Sequence, residues 1–116
     1  MTMMIKGENE MEISPEKEKM HMFQWYQDFY HATKDSKAYA RFCELVFGMN
    51  FSQHGFSDMH QLQKLIEVTR MSAGNAVLDI GCGNGLMAEY FSDLTGACVF
   101  GIDYSPEAIS KLKTER

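Results

Sequence analysis

A glycine-rich turn directly after a short apolar run is the feature that most constrains this chain. The run Val77-Leu78-Asp79-Ile80 leads into three glycines spaced two apart, at Gly81, Gly83 and Gly85. Glycines spaced in this way permit positive φ angles and let a ligand approach the backbone closely. A second apolar run, Val99-Phe100-Gly101-Ile102, ends in Asp103. This layout predicts two parallel strands joined by a helix, with a nucleotide-type cofactor at the carboxyl ends of the strands.

The spacing of the glycines distinguishes between cofactors. The dinucleotide fingerprint G-x-G-x-x-G would place its third glycine where this chain has Leu86. Here that glycine comes one residue earlier, and the strand carries Asp79 just before the turn. Residues 77–85 resemble motif I of the class I S-adenosylmethionine-dependent methyltransferases at every position. Asp103 matches the acidic residue that this family carries after its second strand.

The resemblance implies a fold, a cofactor and a reaction. The fold is α/β, with a helical N-terminal cap followed by the first two strands of a Rossmann-like, seven-stranded parallel sheet. The cofactor is S-adenosylmethionine, with S-adenosylhomocysteine as the product, and the methyl group goes to a small-molecule acceptor. Catalytic residues cannot be named from these motifs. Two alternatives stay open, namely an NAD-type nucleotide-dependent enzyme and a non-catalytic truncated fragment or interaction module.

The resemblance also assigns cofactor contacts around the glycine turn. The turn makes room for the cofactor, Asp103 holds both ribose hydroxyls, and Tyr104 lies beside the adenine. Asp79 supports the turn or approaches the cofactor's amino group. The predicted residues of this group are Asp79, Gly81, Cys82, Gly83, Gly85, Asp103 and Tyr104. Purely structural roles remain as alternatives: a tight turn without a ligand, a helix-capping acid at Asp103, core packing for Tyr104 and a small filler residue at Cys82.

A second predicted contact region precedes the glycine turn. The segment 50–56 is polar, contains glycine and lies between predicted helices. It is similar to a segment that closes over the methionine end of the cofactor in many small-molecule methyltransferases, which implies contacts from Ser52, Gln53 and His54. An ordinary interhelical loop is the alternative. The aromatic stripe Trp25, Tyr26, Phe29 and Tyr30 could line a substrate pocket, although helix packing explains it more simply.

Capping signals and apolar periodicity predict the order of the elements. Helices are expected after Ser14-Pro15, after Ser36 and after Ser57 or Asp58. Strands are expected at 76–80 and 97–102, with a helix between them and another after Ser105-Pro106. We therefore divide the chain into a disordered tail at 1–13, a helical cap at 14–72 and a partial cofactor-binding domain at 73–116.

Composition excludes several classes of function. A net charge of −5 argues against a nucleic-acid partner, which needs a basic face. Four histidines and three cysteines show no metal-ligand spacing, so no metal site is expected. No apolar run approaches the roughly 18 residues that a membrane span needs, and the N-terminus is not a signal peptide. Reduced thiols in a cytoplasmic protein are the simplest interpretation.

The sequence reaches only the second strand of the seven that the resembled fold contains. We therefore expect the N-terminal portion of a longer enzyme. An incomplete sheet also leaves an edge exposed, which could pair with a second copy of the chain.

Overall fold

The structure is a computed structural model that describes residues 14–110. Its first half consists of three helices, α1 (Pro15–Thr33), α2 (Lys37–Phe47) and α3 (Met59–Thr69). The expected disordered tail at 1–13 and the last six residues of the predicted cofactor-binding domain lie outside the described residues. The proposed domain boundary between residues 72 and 73 stays a prediction.

The helices begin at the residues that the capping signals predict. Ser14 and Ser36 accept hydrogen bonds from the first turns of α1 and α2, and Pro15 is the first residue of α1. Asp58, rather than Ser57, caps α3, because its carboxylate and the Gln61 side chain form a reciprocal capping box. Each cap satisfies backbone amides that the first turn of a helix leaves without partners.

The second half contains β1 (Ala76–Ile80), α4 (Leu86–Thr95), β2 (Cys98–Ile102) and the short helix α5 (Pro106–Ile109). The two strands are parallel, in register from Ala76 opposite Cys98 to Ile80 opposite Ile102. The expected second strand therefore begins one residue later than predicted. The predicted order, a helical cap followed by the start of a Rossmann-like parallel sheet, is confirmed.

The apolar core lies on one side of this sheet. Phe51, Leu62 and Phe91 are buried together, and seven partly buried side chains pack against them: Met59, Ile66, Met71, Leu86, Met87, Tyr90 and Val99. The side chains on the opposite face of the strands are more than half exposed: Leu78, Ile80, Phe100 and Ile102. The core thus joins α3, α4 and the segment that contains Phe51 to one face of the sheet.

The apolar stripes of the helices are less buried than their periodicity predicts. Helix α1 contains no fully buried residue.

 Met22 is 49% exposed and Trp25 is 47% exposed, so neither side chain lies in the apolar core. Phe42, Val46, Leu65 and Leu94 are likewise exposed on the other helices. The periodicity identifies an apolar helix face correctly, but it does not tell whether that face meets the core or a cleft.

No helix within residues 14–110 is long and apolar enough to cross a membrane. In the same part of the chain, no three His, Cys, Asp or Glu side chains group closely enough to hold a metal ion.

Candidate cofactor-binding site

The glycine turn is held against the end of the second strand by backbone hydrogen bonds. The amides of Gly81 and Cys82 both donate to the carbonyl of Ile102, at 2.8 and 3.0 Å. Gly81, Gly83 and Gly85 have φ angles of 78°, 57° and 77°, in the left-handed region that favours glycine. The turn therefore takes a backbone path that other residues would adopt only with strain. Helix α4 begins directly after it, with Gly85 as its N-cap residue.

Asp103 connects the turn to the segment after β2. One carboxylate oxygen accepts a hydrogen bond from the amide of Gly83, and the other accepts from the amide of Ser105, each at 2.8 Å. The sequence analysis considered Asp79 as the support of the turn, but the carboxylate that accepts a hydrogen bond from the turn is that of Asp103. A carboxylate has about four acceptor positions, so the two amides orient Asp103 and leave capacity for further donors.

Asp79 lies at the end of β1 and faces the same cleft. Burial raises the pKa of its carboxyl group, and the nearby Asp103 carboxylate raises it further. Within residues 14–110, its carboxylate accepts no hydrogen bond from another residue. Two acidic groups that face one cleft favour a ligand with positive charge, because a cation relieves their repulsion.

Tyr30 of α1 covers the glycine turn from above. A β-carbon placed on Gly83 would lie 2.6 Å from the Tyr30 hydroxyl oxygen, so any other residue there would force the Tyr30 side chain to shift. Burial, together with the Asp103 carboxylate, raises the pKa of Tyr30 to about 12. Tyr30 therefore keeps its proton at neutral pH and can donate a hydrogen bond into the cleft.

Cys82 fills space beneath the turn. Its side chain is buried, and its sulfur would lie 2.7 Å from a β-carbon placed on Gly101. Burial and the two nearby aspartates raise the pKa of its thiol. A thiol with a raised pKa stays protonated and is a poor nucleophile, which agrees with a filler role for this side chain.

The segment 50–57 closes the opposite side of the cleft. The Asn84 side chain, within the glycine turn, donates to the carbonyl of Phe51 at 3.0 Å. The Tyr39 hydroxyl donates to the carbonyl of Gln53 at 2.6 Å, and Ser52 has a φ of 50°. These contacts connect the segment to α2 on one side and to the glycine turn on the other.

His54 is held among three aromatic rings of α1. Its ring centroid lies 4.9 Å from that of Trp25, 5.2 Å from that of Tyr26 and 5.2 Å from that of Phe29, in edge-on arrangements. The Tyr104 ring is 57% exposed and contacts Tyr26, at 5.9 Å between centroids. The predicted core-packing alternative for Tyr104 is thus not what the structure has.

The two predicted contact regions face each other across one cleft of about 530 Å³, a volume typical of small-molecule sites. Nine of the ten predicted site residues line it: Ser52, Gln53, His54, Asp79, Gly81, Cys82, Gly83, Asp103 and Tyr104. Gly85 is not part of the lining, since it is buried at the start of α4.

Sequence reasoning missed some lining residues. Phe51, Gly55, Ser57, Asn84 and Met87 also line the cleft. Asn84 occupies a variable position of the glycine motif, and Met87 belongs to the apolar face of α4. Asn84 could have been predicted from its place between two motif glycines, because an asparagine side chain in a turn can form hydrogen bonds with nearby backbone groups.

Comparison with known proteins agrees with this geometry. Residues 77–116 match the family described as Methyltransferase domain. The chain is 34% identical over 79 residues to a ubiquinone biosynthesis O-methyltransferase of Thiobacillus denitrificans, a match that covers 65% of this chain and 34% of the relative. It is 43% identical over 58 residues to the protein of the same name from Paraburkholderia phytofirmans, covering 47% of this chain and 25% of the relative.

The similar solved structures are also methyltransferases. Haemonchus contortus phosphoethanolamine N-methyltransferase 2, solved in complex with S-adenosyl-L-methionine, is 29% identical, with a TM-score of 0.48 over 73% of this chain and 20% of that one. The family match and the curated relatives agree with the resemblance of residues 77–85 to motif I of the class I S-adenosylmethionine-dependent methyltransferases. The chain spans about a third of the length of the curated relatives, or less.

Proposed function

We propose that the cleft binds S-adenosylmethionine and that the protein containing this chain transfers the cofactor's methyl group to a small-molecule acceptor. The observation that carries the proposal is Asp103. Its carboxylate stands at the end of β2, is oriented by two backbone amides and faces the same cleft as the glycine turn. A carboxylate in this position suits a vicinal diol, since it can accept two hydrogen bonds from neighbouring hydroxyls.

The residues present fit this cofactor chemically. We assign the ribose hydroxyls to Asp103, the adenine to the neighbourhood of Tyr104, and the amino group to Asp79. Ser52, Gln53 and His54 would contact the methionine end, and Gly81, Cys82, Gly83 and Gly85 would shape the turn around the ligand. S-adenosylmethionine carries positive charge on its sulfonium and amino groups, which suits a cleft with two carboxylates.

When bound, the cofactor supplies an electrophilic methyl group on a sulfonium centre. The chain's own contribution is to bind and orient, which can account for a large part of the rate of such a transfer. Tyr30 and the segment 50–57 cover the cleft and limit the access of water. None of these residues is proposed as the general base.

The proposed acceptor is a small molecule. Support comes from the acidic cleft and the net charge of −5, which do not suit a polyanionic nucleic acid. The relatives named above also carry small-molecule names, in ubiquinone biosynthesis and phosphoethanolamine methylation. A cytoplasmic location, inferred from the unpaired cysteines, and self-association through a free sheet edge complete the proposal.

Calorimetric titration tests the proposed cofactor. We expect S-adenosylhomocysteine to bind the chain with one-to-one stoichiometry and NADH not to bind. Asp103→Ala should weaken S-adenosylhomocysteine binding, whereas Asp93→Ala, an exposed acid on α4, should not. Binding of NADH without binding of S-adenosylhomocysteine would replace the proposal with the dinucleotide alternative.

A further inference from the structure

Gln27 of α1 contacts the segment that follows Asp103. Its side-chain oxygen accepts a hydrogen bond from the Ser105 hydroxyl and another, at 3.1 Å, from the backbone amide of Glu107. Ser105 is fully buried, and its hydroxyl oxygen also accepts from the amide of Ala108 at 3.2 Å. One glutamine oxygen therefore accepts hydrogen bonds from two donors, on Ser105 and Glu107, that lie almost eighty positions further along the chain.

These hydrogen bonds continue to the glycine turn. The amide of Ser105 donates to one oxygen of Asp103, and the other oxygen of Asp103 accepts from the amide of Gly83, each at 2.8 Å. A connected path thus runs from Gln27 through Ser105 and Asp103 to Gly83. Each member fixes the next, because a hydrogen bond weakens steeply when its partners move or tilt.

Other contacts between α1 and α5 are weaker. His31 lies 3.0 Å and Lys34 3.9 Å from the Glu107 carboxylate, and their side chains are 75% and 43% exposed. Exposed ion pairs contribute little, because water and salt screen them. The partly buried amide of Gln27 is therefore the contact best suited to control the position of the segment 103–107.

We propose that Gln27 is a positioning residue that orients Asp103 toward the ribose hydroxyls of the cofactor. The inference rests on the function proposed above. Without the glutamine oxygen, the Ser105 hydroxyl and the Glu107 amide lose their acceptor in a buried place, and the segment must move to find another partner. The amide that holds Asp103 belongs to this same segment, so the carboxylate moves with it.

Calorimetric titration with two ligands tests this role. The first is S-adenosylhomocysteine, and the second is its analogue without the two ribose hydroxyls. Gln27→Leu removes the acceptor at similar size, Gln27→Glu keeps an acceptor oxygen, and Gln24→Leu changes an exposed glutamine on the same helix. We expect Gln27→Leu to weaken S-adenosylhomocysteine about tenfold and the analogue less than twofold, with Gln27→Glu and Gln24→Leu close to wild type.

The outcomes separate this inference from the proposed function. Wild-type protein that fails to bind S-adenosylhomocysteine would overturn the proposed function itself. Normal wild-type binding with an equal loss for both ligands in Gln27→Leu would show a general structural role and overturn the inference, as would an unchanged affinity. If Gln27→Leu does not fold, Gln27→Asn replaces it, and the same selective loss, of about threefold or more, is expected.

Discussion

The two walls of the cleft are built in different ways. The glycine turn is a backbone wall, formed by consecutive residues whose amides bond to the end of β2. The opposite wall consists of α1 and the segment 50–57, held by side chains such as His54 and Gln27. Local sequence determines the first wall, whereas the second depends on partners far apart in the chain. Changes in the two walls should therefore differ in both size and character.

The backbone wall should respond most strongly, at Gly83. Gly83→Ala places a β-carbon in the left-handed region and against the Tyr30 hydroxyl, which should lower the free energy of unfolding by about 3 kcal/mol. Chemical denaturation measures the loss. Adding Tyr30→Phe should recover part of it, since the nearest contact is the hydroxyl oxygen.

Substitutions of two other glycines separate backbone strain from steric contact as causes of the stability loss in Gly83→Ala. Gly74 has a φ of 89° with no atom close to a β-carbon, so Gly74→Ala should cost only the backbone strain, about 1–2 kcal/mol. Gly55 has neither a positive φ nor a close neighbour, and Gly55→Ala should be neutral within about 0.5 kcal/mol. Equal losses at all three glycines would contradict this account of the turn.

Asp103→Ala removes the link between the turn and the segment after β2. Two backbone amides lose a charged acceptor, so the free energy of unfolding should fall by about 2 kcal/mol. Asp103→Asn keeps one acceptor oxygen and should recover part of the loss. The control is Asp93→Ala on α4, and a loss there as large as that of Asp103→Ala would contradict the link.

The side-chain wall should respond less, at His54. His54→Ala removes three ring contacts at the surface, which should lower the free energy of unfolding by about 1 kcal/mol. Hydrogen exchange should speed up at the amides of Ser52 and Gln53 and not in β1. His60→Ala, an exposed histidine on α3, serves as the control, and unchanged exchange in His54→Ala would mean that the rings do not hold the segment.

Asp79→Asn should raise the free energy of unfolding, in contrast to the losses expected at Gly83, Asp103 and His54. The folded-state pKa of Asp79 is raised, so its contribution is fully favourable below its ordinary pKa of 3.8 and is lost as pH rises through the folded value. The variant should therefore match wild type near pH 3.5 and gain stability relative to it toward pH 7. Denaturation at both pH values checks this, and an advantage that does not grow with pH would contradict the raised pKa that burial, together with Asp103, gives the Asp79 carboxyl.

The elements and the backbone wall could be predicted from the sequence, because their signals are local. The bounds of β1, the cap at Ser36 and the glycine turn all follow from neighbouring residues. The role of Gln27 could not be predicted, since its partners lie about eighty positions away and a polar residue on a helix usually faces water. The exposed face of α1 was also missed, because periodicity does not identify what a helix packs against.

The position of Trp25, the single tryptophan of the chain, offers the most direct test of the cofactor cleft. Its ring contacts His54 and Tyr26, and both of these residues line the cleft. Titration with S-adenosylhomocysteine, followed by tryptophan fluorescence, should give a saturable change in wild type and a midpoint at least tenfold higher in Asp103→Ala. Equal midpoints in the two proteins, or a saturable change with NADH alone, would contradict the account.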